Sequence, residues 1–188
     1  MKRTFAAIDL SEEARRVAAG HLERLRRAFP GIRVGWERPE KLHFTLKFFG
    51  DVEDDLIPSL RSMIETVAGE AKVFEAILAG TGRFPPKGEP RILWLGAADN
   101  GNMRNLAERI ESEASKLGFL KEKRRFTPHL TIARLREPFA SHGLALAHLE
   151  TAFEPVRFEV HGITLYESTL LPGGSVYRKL LTAPLGGA

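Results

Sequence analysis

The sequence of 188 residues contains no cysteine, which excludes disulfide bonds, a thiolate nucleophile and a zinc site built on thiolates. It also lacks any apolar run of about 18 residues, the length that a membrane-spanning helix needs. No long apolar run follows the first five residues either. We therefore expect a soluble protein of the cytoplasm that does not associate with a membrane.

A length of 188 residues is typical of one domain or of two small lobes, and we expect residues 1–188 to form one domain. Hydrophobic residues make up 43% of the chain, and 12 of them are phenylalanine, which is ample for a buried core. The net charge of +4 and the isoelectric point near 9.6 favour an anionic partner, most commonly a nucleic acid. A net charge of this size is also ordinary for a chain of this length, so it does not decide the partner.

Two segments share one pattern, His-Phe-Thr-Leu at 43–46 and His-Leu-Thr-Ile at 129–132. Polar and apolar residues alternate in both, which predicts β-strands. Side chains at positions i and i+2 of a strand point to the same face. His43 and Thr45 are thus predicted to share one face, and His129 and Thr131 to share another, with the apolar residues between them packed on a core.

Two such faces opposed across a cleft would surround one phosphate with two imidazoles and two hydroxyls. A neutral imidazole can take a proton from the attacking oxygen, while a protonated one gives a proton to the leaving oxygen. The threonine hydroxyls can donate hydrogen bonds to the non-bridging phosphate oxygens. Histidine suits both tasks because its unperturbed pKa of about 6.5 allows both protonation states near neutral pH. The pattern predicts a phosphoryl reaction without a metal ion.

A single His-x-Thr segment is weak support for function, because a lone histidine on a strand is usually an ordinary polar residue. Two copies in matching contexts favour a functional pair, so we pair His43 with His129. Outside such an alternation lie the other four histidines, His21, His142, His148 and His161. We predict that His21, at the edge of the apolar stripe of its helix, is a surface or boundary residue, and that His142 and His148 are exposed.

Hydrophobic periodicity predicts an internal repeat: strand, helix, His-x-Thr strand, helix and strand over residues 4–81, and again over 91–168. The last strand of the second copy is predicted as one long element, 155–168. A turn at Pro172-Gly173-Gly174 closes a C-terminal hairpin over 163–182, and the tail 183–188 should be loose. The repeat predicts an α+β fold of two pseudo-symmetric lobes around a central cleft, each an antiparallel sheet with outer helices.

Three further groups are candidates for contacts to phosphate or base. Strict alternation places Lys47 on the face of His43 and Thr45, either as a phosphate contact or as a solvated lysine at the strand end. The loop 82–90 carries Phe84 between Arg83 and Lys87, which suits base stacking or an ordinary loop whose phenylalanine packs on the core. The segment 121–125 contains four cations and is either a solvated loop or an RNA contact beside the second motif.

Further segments accompany the two motifs: 5–8 (Phe-Ala-Ala-Ile), 48–50 (Phe-Phe-Gly), 93–94 (Leu-Trp), 126–134 and 165–168, with Gly174 and Tyr177. Together they resemble the two-histidine (2H) phosphoesterase superfamily over nearly the whole chain. More narrowly, they resemble the bacterial and archaeal RNA 2′,3′-cyclic phosphodiesterases, also called 2′-5′ RNA ligases. Neither His-x-Thr-x segment departs from the family pattern.

The resemblance implies a LigT-like fold and hydrolysis of RNA 2′,3′-cyclic phosphate ends to 2′-phosphate ends, with no metal and no cofactor. It implies RNA partners, with tRNA fragments as candidates, and we expect a monomer. The family roles make His43 the proton donor to the leaving 3′ oxygen and His129 the proton acceptor from water. Thr45 and Thr131 would hold the phosphate. Run in reverse, the same groups would join RNA ends through a 2′-5′ bond.

The family pattern also includes an arginine at position 134, where a cation beside the phosphate is chemically sensible. Strict alternation, however, places Arg134 on the face opposite His129. Three explanations are open: a β-bulge that redirects the side chain, binding from the rim of the cleft, or a structural role.

Two other classes of function remain open. A non-catalytic RNA-binding protein would use the motifs only to grip terminal phosphates, and the segment 121–125 and the loop around Phe84 favour it. A metallohydrolase would use the two histidines as ligands, but no carboxylate stands at a familiar ligand spacing from either one.

Overall fold

A computed structural model describes residues 1–137, 139–172 and 174–186 of the chain. Within these ranges it contains nine β-strands and four α-helices. The predicted turn at Pro172-Gly173-Gly174 is only partly described, because Gly173 lies outside these ranges, as do residues 187–188 of the predicted tail. Across the described ranges, each helix is too short or too polar to cross a membrane.

The first half of the chain contains β1 (Lys2–Asp9), α1 (Glu12–Ala28), β2 (Val34–Trp36), β3 (His43–Val52), α2 (Ile57–Gly69) and β4 (Phe74–Phe84). The second half contains β5 (Ile92–Ala98), α3 (Asn102–Lys116), β6 (His129–Leu135), α4 (His142–Glu150), β7 (Val156–Val160), β8 (Gly162–Leu171) and β9 (Gly174–Pro184). Short 3₁₀ turns at Pro39–Lys41 and Asp54–Leu56 precede β3 and α2.

The strands form two antiparallel sheets, one in the order β3-β1-β8-β9 and the other in the order β2-β6-β5-β4-β7. The helices α2 and α3 pack on the first sheet, and α1 and α4 pack on the second. The two motif strands, β3 and β6, belong to different sheets and contact each other. This arrangement confirms the predicted α+β fold and brings the two His-x-Thr segments to the junction of the sheets.

The apolar residues of both motifs lie in the core, as the alternation predicts. Phe44, Leu130 and Ile132 are fully buried, and Leu46 is nearly so. The ring of Phe44 stacks on that of Phe158 in β7, with the centroids 6.3 Å apart. Burial of these residues stabilises the fold and fixes which face of each strand the histidine presents.

The two sheets do not follow the boundaries of the repeats 4–81 and 91–168. The strand that ends the first repeat, β4, pairs with β5 in the second sheet. The strand that ends the second repeat, β8, pairs with β1 in the first sheet. Each lobe therefore contains strands from both repeats, and this exchange supports our proposal that residues 1–188 form one domain.

Two predicted elements differ from the structure. The long strand 155–168 is two strands, because the chain leaves β4 at His161 and joins β1 through β8. Gly162 permits this passage, since a Cβ there would lie 2.8 Å from the carbonyl oxygen of Ala183. The predicted loose tail is instead packed on the fold over residues 183–186. Leu185 is buried, and the amide of Gly186 donates to the carbonyl of Ala68 over 3.0 Å.

Candidate active site

The two His-Thr pairs line one cleft with a volume of about 380 Å³. His43 and Thr45 enter it from β3, and His129 and Thr131 enter it from β6. The other lining residues are Arg3, Phe5, Glu37, Lys41, Phe48, Arg134, Ser168, Leu170, Ser175 and Tyr177. The structure thus brings together two imidazoles and two hydroxyls from equivalent strands of the two sheets.

Both imidazoles are oriented by the same kind of hydrogen bond. The Nδ1 atom of His43 lies 2.6 Å from the carbonyl oxygen of Lys41, and that of His129 lies 2.8 Å from the carbonyl oxygen of Thr127. A carbonyl accepts only, so Nδ1 carries a proton in each ring and Nε2 is the atom that gains or loses one. The Nε2 atom of His43 lies 3.0 Å from the hydroxyl of Thr45.

Aromatic side chains hold each catalytic candidate from the side. The ring of His43 stacks on Phe5 with centroids 4.8 Å apart and meets the edge of Tyr177 at 5.6 Å. The ring of His129 meets Phe84 in a T-shaped contact at 5.0 Å and Trp94 at 6.4 Å. Packing of this kind restricts the rings to one orientation before any ligand enters.

Burial lowers the pKa of both histidines, because the imidazolium loses hydration. The backbone hydrogen bond to Lys41 and the charge of Asp9 raise the pKa of His43 and partly offset burial. The charges of Arg15 and His129 lower this pKa further. For His129, the backbone hydrogen bond to Thr127 raises the pKa and partly offsets burial, and the charge of Arg134 lowers the pKa further.

A β-bulge in β6 places Arg134 in the cleft. Thr131 pairs with Trp94 and Ala133 pairs with Leu93, so Ile132 has no partner on β5. The extra residue turns both Ile132 and Ala133 toward the core and returns the next side chain to the face of His129. Of the three explanations open for Arg134, the redirecting bulge is the one that the structure contains.

A matching bulge in β3 removes Lys47 from the cleft. Thr45 pairs with Ala7 and Lys47 pairs with Ala6, which leaves Leu46 unpaired. Lys47 is therefore buried, and its Nζ lies 2.7 Å from a carboxylate oxygen of Glu111. The expectation that Lys47 contacts the phosphate is wrong for this reason, and Phe48 lines the cleft instead.

The predicted loop 82–90 begins later than expected, because its first three residues continue a strand. Arg83 and Phe84 belong to β4, and Phe84 is half-buried between Trp94 and His129. Its ring supports an imidazole rather than lying free in a loop. The segment 121–125 is irregular and exposed, as predicted.

The predictions for His21 and His148 were wrong, because both are fully buried. The Nε2 atom of His148 lies 3.1 Å from the carbonyl oxygens of Gly82 and Trp94, and its Nδ1 lies 3.0 Å from Nε2 of His21. Contact between α1 and α4 over the second sheet creates this buried pair, which helical periodicity does not reveal. His142 is exposed as predicted, and His161 is also exposed, outside the cleft.

Three residues in or beside the cleft lie outside both motifs, and sequence analysis did not identify them. Arg15 donates to the carbonyls of Pro39 and Leu42, over 2.6 and 3.1 Å, and so braces the turn whose Lys41 carbonyl orients His43. The Lys41 ammonium donates to the carbonyl of Ser175, and Glu37 lines the cleft. Only their neighbourhood in the fold identifies them.

Over residues 1–137, 139–172 and 174–186, the His, Asp and Glu side chains form no group of three or more that could hold a metal ion. Asp9 is engaged elsewhere: it accepts hydrogen bonds from Tyr166 at 2.6 Å, Lys179 at 2.7 Å and Thr164 at 3.1 Å. Burial opposes ionisation of Asp9, but these bonds outweigh it and lower its pKa.

Comparison with known proteins identifies relatives of the chain. The model of the 2′-5′ RNA ligase superfamily matches residues 14–170. A Thermotoga maritima protein named RNA 2′,3′-cyclic phosphodiesterase is 30% identical over 185 residues, 98% of this chain and 96% of that protein. A protein of the same name from Methanothermobacter thermautotrophicus is 32% identical over 179 residues, 93% of this chain and 94% of its own length.

Solved structures agree with this similarity. The Thermus thermophilus protein TT0787 matches with a TM-score of 0.80 and 29% identity, over 98% of both chains. E. coli LigT complexed with 3′-AMP matches with a TM-score of 0.72 and 26% identity, also over 98% of both chains. As the resemblance of its motifs predicted, the chain belongs to the 2′-5′ RNA ligase superfamily.

Proposed function

We propose that the protein hydrolyses RNA 2′,3′-cyclic phosphate ends to 2′-phosphate ends by metal-independent acid–base catalysis with two histidines. The observation that carries the proposal is the convergence of two Nδ1-anchored imidazoles, His43 and His129, on one cleft. Relatives over nearly the whole chain are named RNA 2′,3′-cyclic phosphodiesterases, which supports the same reaction here.

In the proposed reaction, Nε2 of His129 takes a proton from a water molecule, whose oxygen attacks the phosphorus atom. The bond from phosphorus to the 3′ oxygen breaks, and Nε2 of His43 gives its proton to that oxygen. The products are a 3′ hydroxyl and a 2′-phosphate. The histidines end with their protonation states exchanged, and exchange with solvent restores them.

Neighbouring charges support this division of roles. Burial, Arg15 and His129 lower the pKa of His43, and the carboxylate of Asp9 opposes them and so favours the acid form of this ring. The guanidinium of Arg134 lowers the pKa of His129 and so favours its basic form. Pairs of titratable groups whose surroundings differ in this way commonly divide into an acid and a base.

The phosphate is held in our proposal by the hydroxyls of Thr45 and Thr131 and by the guanidinium of Arg134. All three line the cleft beside the histidines. Their donors would stabilise negative charge that grows on the non-bridging oxygens during attack. Lys47 has no part in this proposal.

We also propose the reverse reaction, in which the hydroxyl of a second RNA end replaces water and a 2′-5′ bond forms. Action as a monomer also stays a prediction. The cytoplasmic location and tRNA fragments as substrates stay predictions.

The decisive experiment incubates the protein with an oligoribonucleotide that ends in a 2′,3′-cyclic phosphate, in the presence of EDTA. Phosphorus NMR and chromatography against standards then distinguish a 2′-phosphate from a 3′-phosphate product. We expect the 2′-phosphate, at the same rate with and without EDTA.

Each other outcome contradicts part of the proposal. A 3′-phosphate product would mean that the bond to the 2′ oxygen breaks, so His43 could not have its assigned role. Loss of turnover in EDTA would favour a metallohydrolase. Salt-dependent RNA binding without consumption of the cyclic end would favour the non-catalytic RNA-binding protein.

A further inference from the structure

The segment 121–125, here called the basic segment, concentrates positive charge beside the second motif. It contains Lys121, Lys123, Arg124 and Arg125 with a single carboxylate, Glu122, and all five side chains are exposed. Arg124 pairs with Glu122 over 2.9 Å and lowers the pKa of that carboxyl to about 2. Among the described residues, no ion pair involves the remaining three cations, so their charges face solvent.

The start of the basic segment is anchored to β3 by the buried lysine that strict alternation assigned to the cleft. The Nζ atom of Lys47 lies 2.7 Å from Glu111 and 3.2 Å from the carbonyl oxygen of Leu120. The same carboxylate oxygen of Glu111 accepts from the amide of Glu122 over 3.2 Å. A buried ion pair therefore fixes the backbone on both sides of Lys121.

The end of the basic segment is anchored to the other motif strand. Thr127, two residues beyond Arg125, supplies the carbonyl that orients the ring of His129. Arg125 precedes His129 by four residues, so their Cα atoms are at most about 14 Å apart. The basic segment thus runs from the buried face of β3, where Lys47 holds its start, to the strand of His129, where Arg125 lies within about 14 Å of the second histidine.

We infer that the basic segment binds the phosphodiester backbone of the RNA strand on the 5′ side of the cyclic end. The inference rests on the proposed function, because a 2′,3′-cyclic phosphate lies at a 3′ end and the rest of the strand must leave the cleft in the 5′ direction. Exposed lysine and arginine side chains bind such a backbone without regard to sequence and release its counterions. A cyclic mononucleotide has no further backbone and would not use this surface.

The test compares two substrates, a 2′,3′-cyclic mononucleotide and an oligoribonucleotide with the same cyclic end. The variant replaces Lys121, Lys123 and Arg125 with alanine, and the matched control replaces the exposed helical residues Arg16, Arg26 and Arg61 with alanine. Steady-state rates are measured for the wild type and both variants between low and moderate salt.

We expect the variant to raise KM for the oligoribonucleotide about tenfold at low salt, with kcat little changed. The slope of log kcat/KM against log salt should become less negative by about 2, because each of the three lost contacts to a single strand contributes about 0.7 to the slope. The mononucleotide constants should change less than twofold. The control variant should match the wild type, and the charge-conserving variant K121R/K123R/R125K should retain tight binding.

Equal losses on both substrates would overturn the inference, because they would mean that the segment supports the cleft rather than the strand. Unchanged constants on both substrates would overturn it as well. If the triple variant unfolds, the three single substitutions test the inference instead, and each should make the salt slope less negative by about 0.7. Failure of the proposed function is distinguishable, because the wild type would then consume neither substrate.

Discussion

His43 and Thr45 contact each other across one residue of β3, with Nε2 of the ring 3.0 Å from the threonine hydroxyl. The other ring nitrogen is bound to the carbonyl of Lys41, so both nitrogens have partners without a ligand. In the proposed reaction, the hydroxyl turns toward a phosphate oxygen and Nε2 becomes available to the leaving oxygen. The orientation of the acid therefore precedes substrate binding.

Substitution of either catalytic candidate should remove turnover and leave the fold intact. We expect His43→Ala and His129→Ala each to lower kcat on a cyclic-phosphate substrate by about a hundredfold to ten-thousandfold, the range for general acid–base groups. Both rings line a cleft rather than fill the core, so the unfolding midpoint by circular dichroism should change little. His142→Ala, on the exposed face of α4, is the matched control. Full activity in either of the first two variants would refute the assignment.

The pH dependence should reflect the lowered pKa of both histidines. The reaction needs His43 protonated and His129 neutral, and the lowered pKa of His43 means that its proton is lost below the usual value of about 6.5. The bell-shaped profile of kcat/KM, which reports the free enzyme, should therefore peak below about pH 6.5. A bound phosphate anion favours the imidazolium, so the kcat profile should lie at higher pH than the kcat/KM profile.

A variant separates the two limbs of this profile. Arg134→Gln removes a charge that lowers the pKa of His129, so the acidic limb should move to higher pH. Chemical shifts of the ring protons, followed by NMR titration, check the same displacement directly. A kcat/KM profile for the wild type that peaks above pH 7 would contradict the structure.

The Lys47–Glu111 pair should matter to stability far more than an exposed ion pair. Lys47 is almost fully buried, and its removal leaves a carboxylate that is only partly exposed without its counterion. We expect Lys47→Met to lower the free energy of unfolding by about 3–5 kcal/mol, and the double variant K47M/E111L to recover most of it. Chemical denaturation measures both.

An exposed pair provides the control for this comparison. Arg157 and Glu75 pair across β7 and β4 with both side chains more than half exposed. Arg157→Met should cost about 0–1 kcal/mol. Equal losses in the two single variants would show that the Lys47 charge is solvated rather than buried.

The buried pair of His21 and His148 should make the protein less stable in acid. Burial lowers the pKa of both, that of His21 to about 4, so the unfolded chain binds more protons once the pH falls below about 6.5. Stability is therefore full above pH 6.5 and decreases as the pH falls toward 4, by on the order of 3 kcal/mol. Denaturation at a series of pH values measures this slope.

The double variant H21L/H148L should flatten the slope, while His142→Gln, at an exposed position of α4, should keep it. The other two histidines with a lowered pKa, His43 and His129, are common to all three proteins, so the difference in slope isolates the pair. An unchanged slope in the leucine variant would mean that the pair does not titrate in this range.

Local pattern was enough to predict the strands of both motifs, the face shared by His43 and Thr45, and that shared by His129 and Thr131. A strand has a period of two, so residues two apart share a face whatever surrounds them. The resemblance of the motifs was enough to predict the family and its fold. These predictions needed no contact between residues distant in the chain.

The places of Arg134, Lys47 and His148 were decided by tertiary structure. A β-bulge depends on pairing with another strand, so period two fails beyond Leu46 and Ile132, and one side chain enters the cleft while the other leaves it. His148 is buried because a second helix and the carbonyls of two strands surround it. Burial and strand register depend on contacts between residues that are distant in the sequence, and local sequence pattern does not specify these contacts.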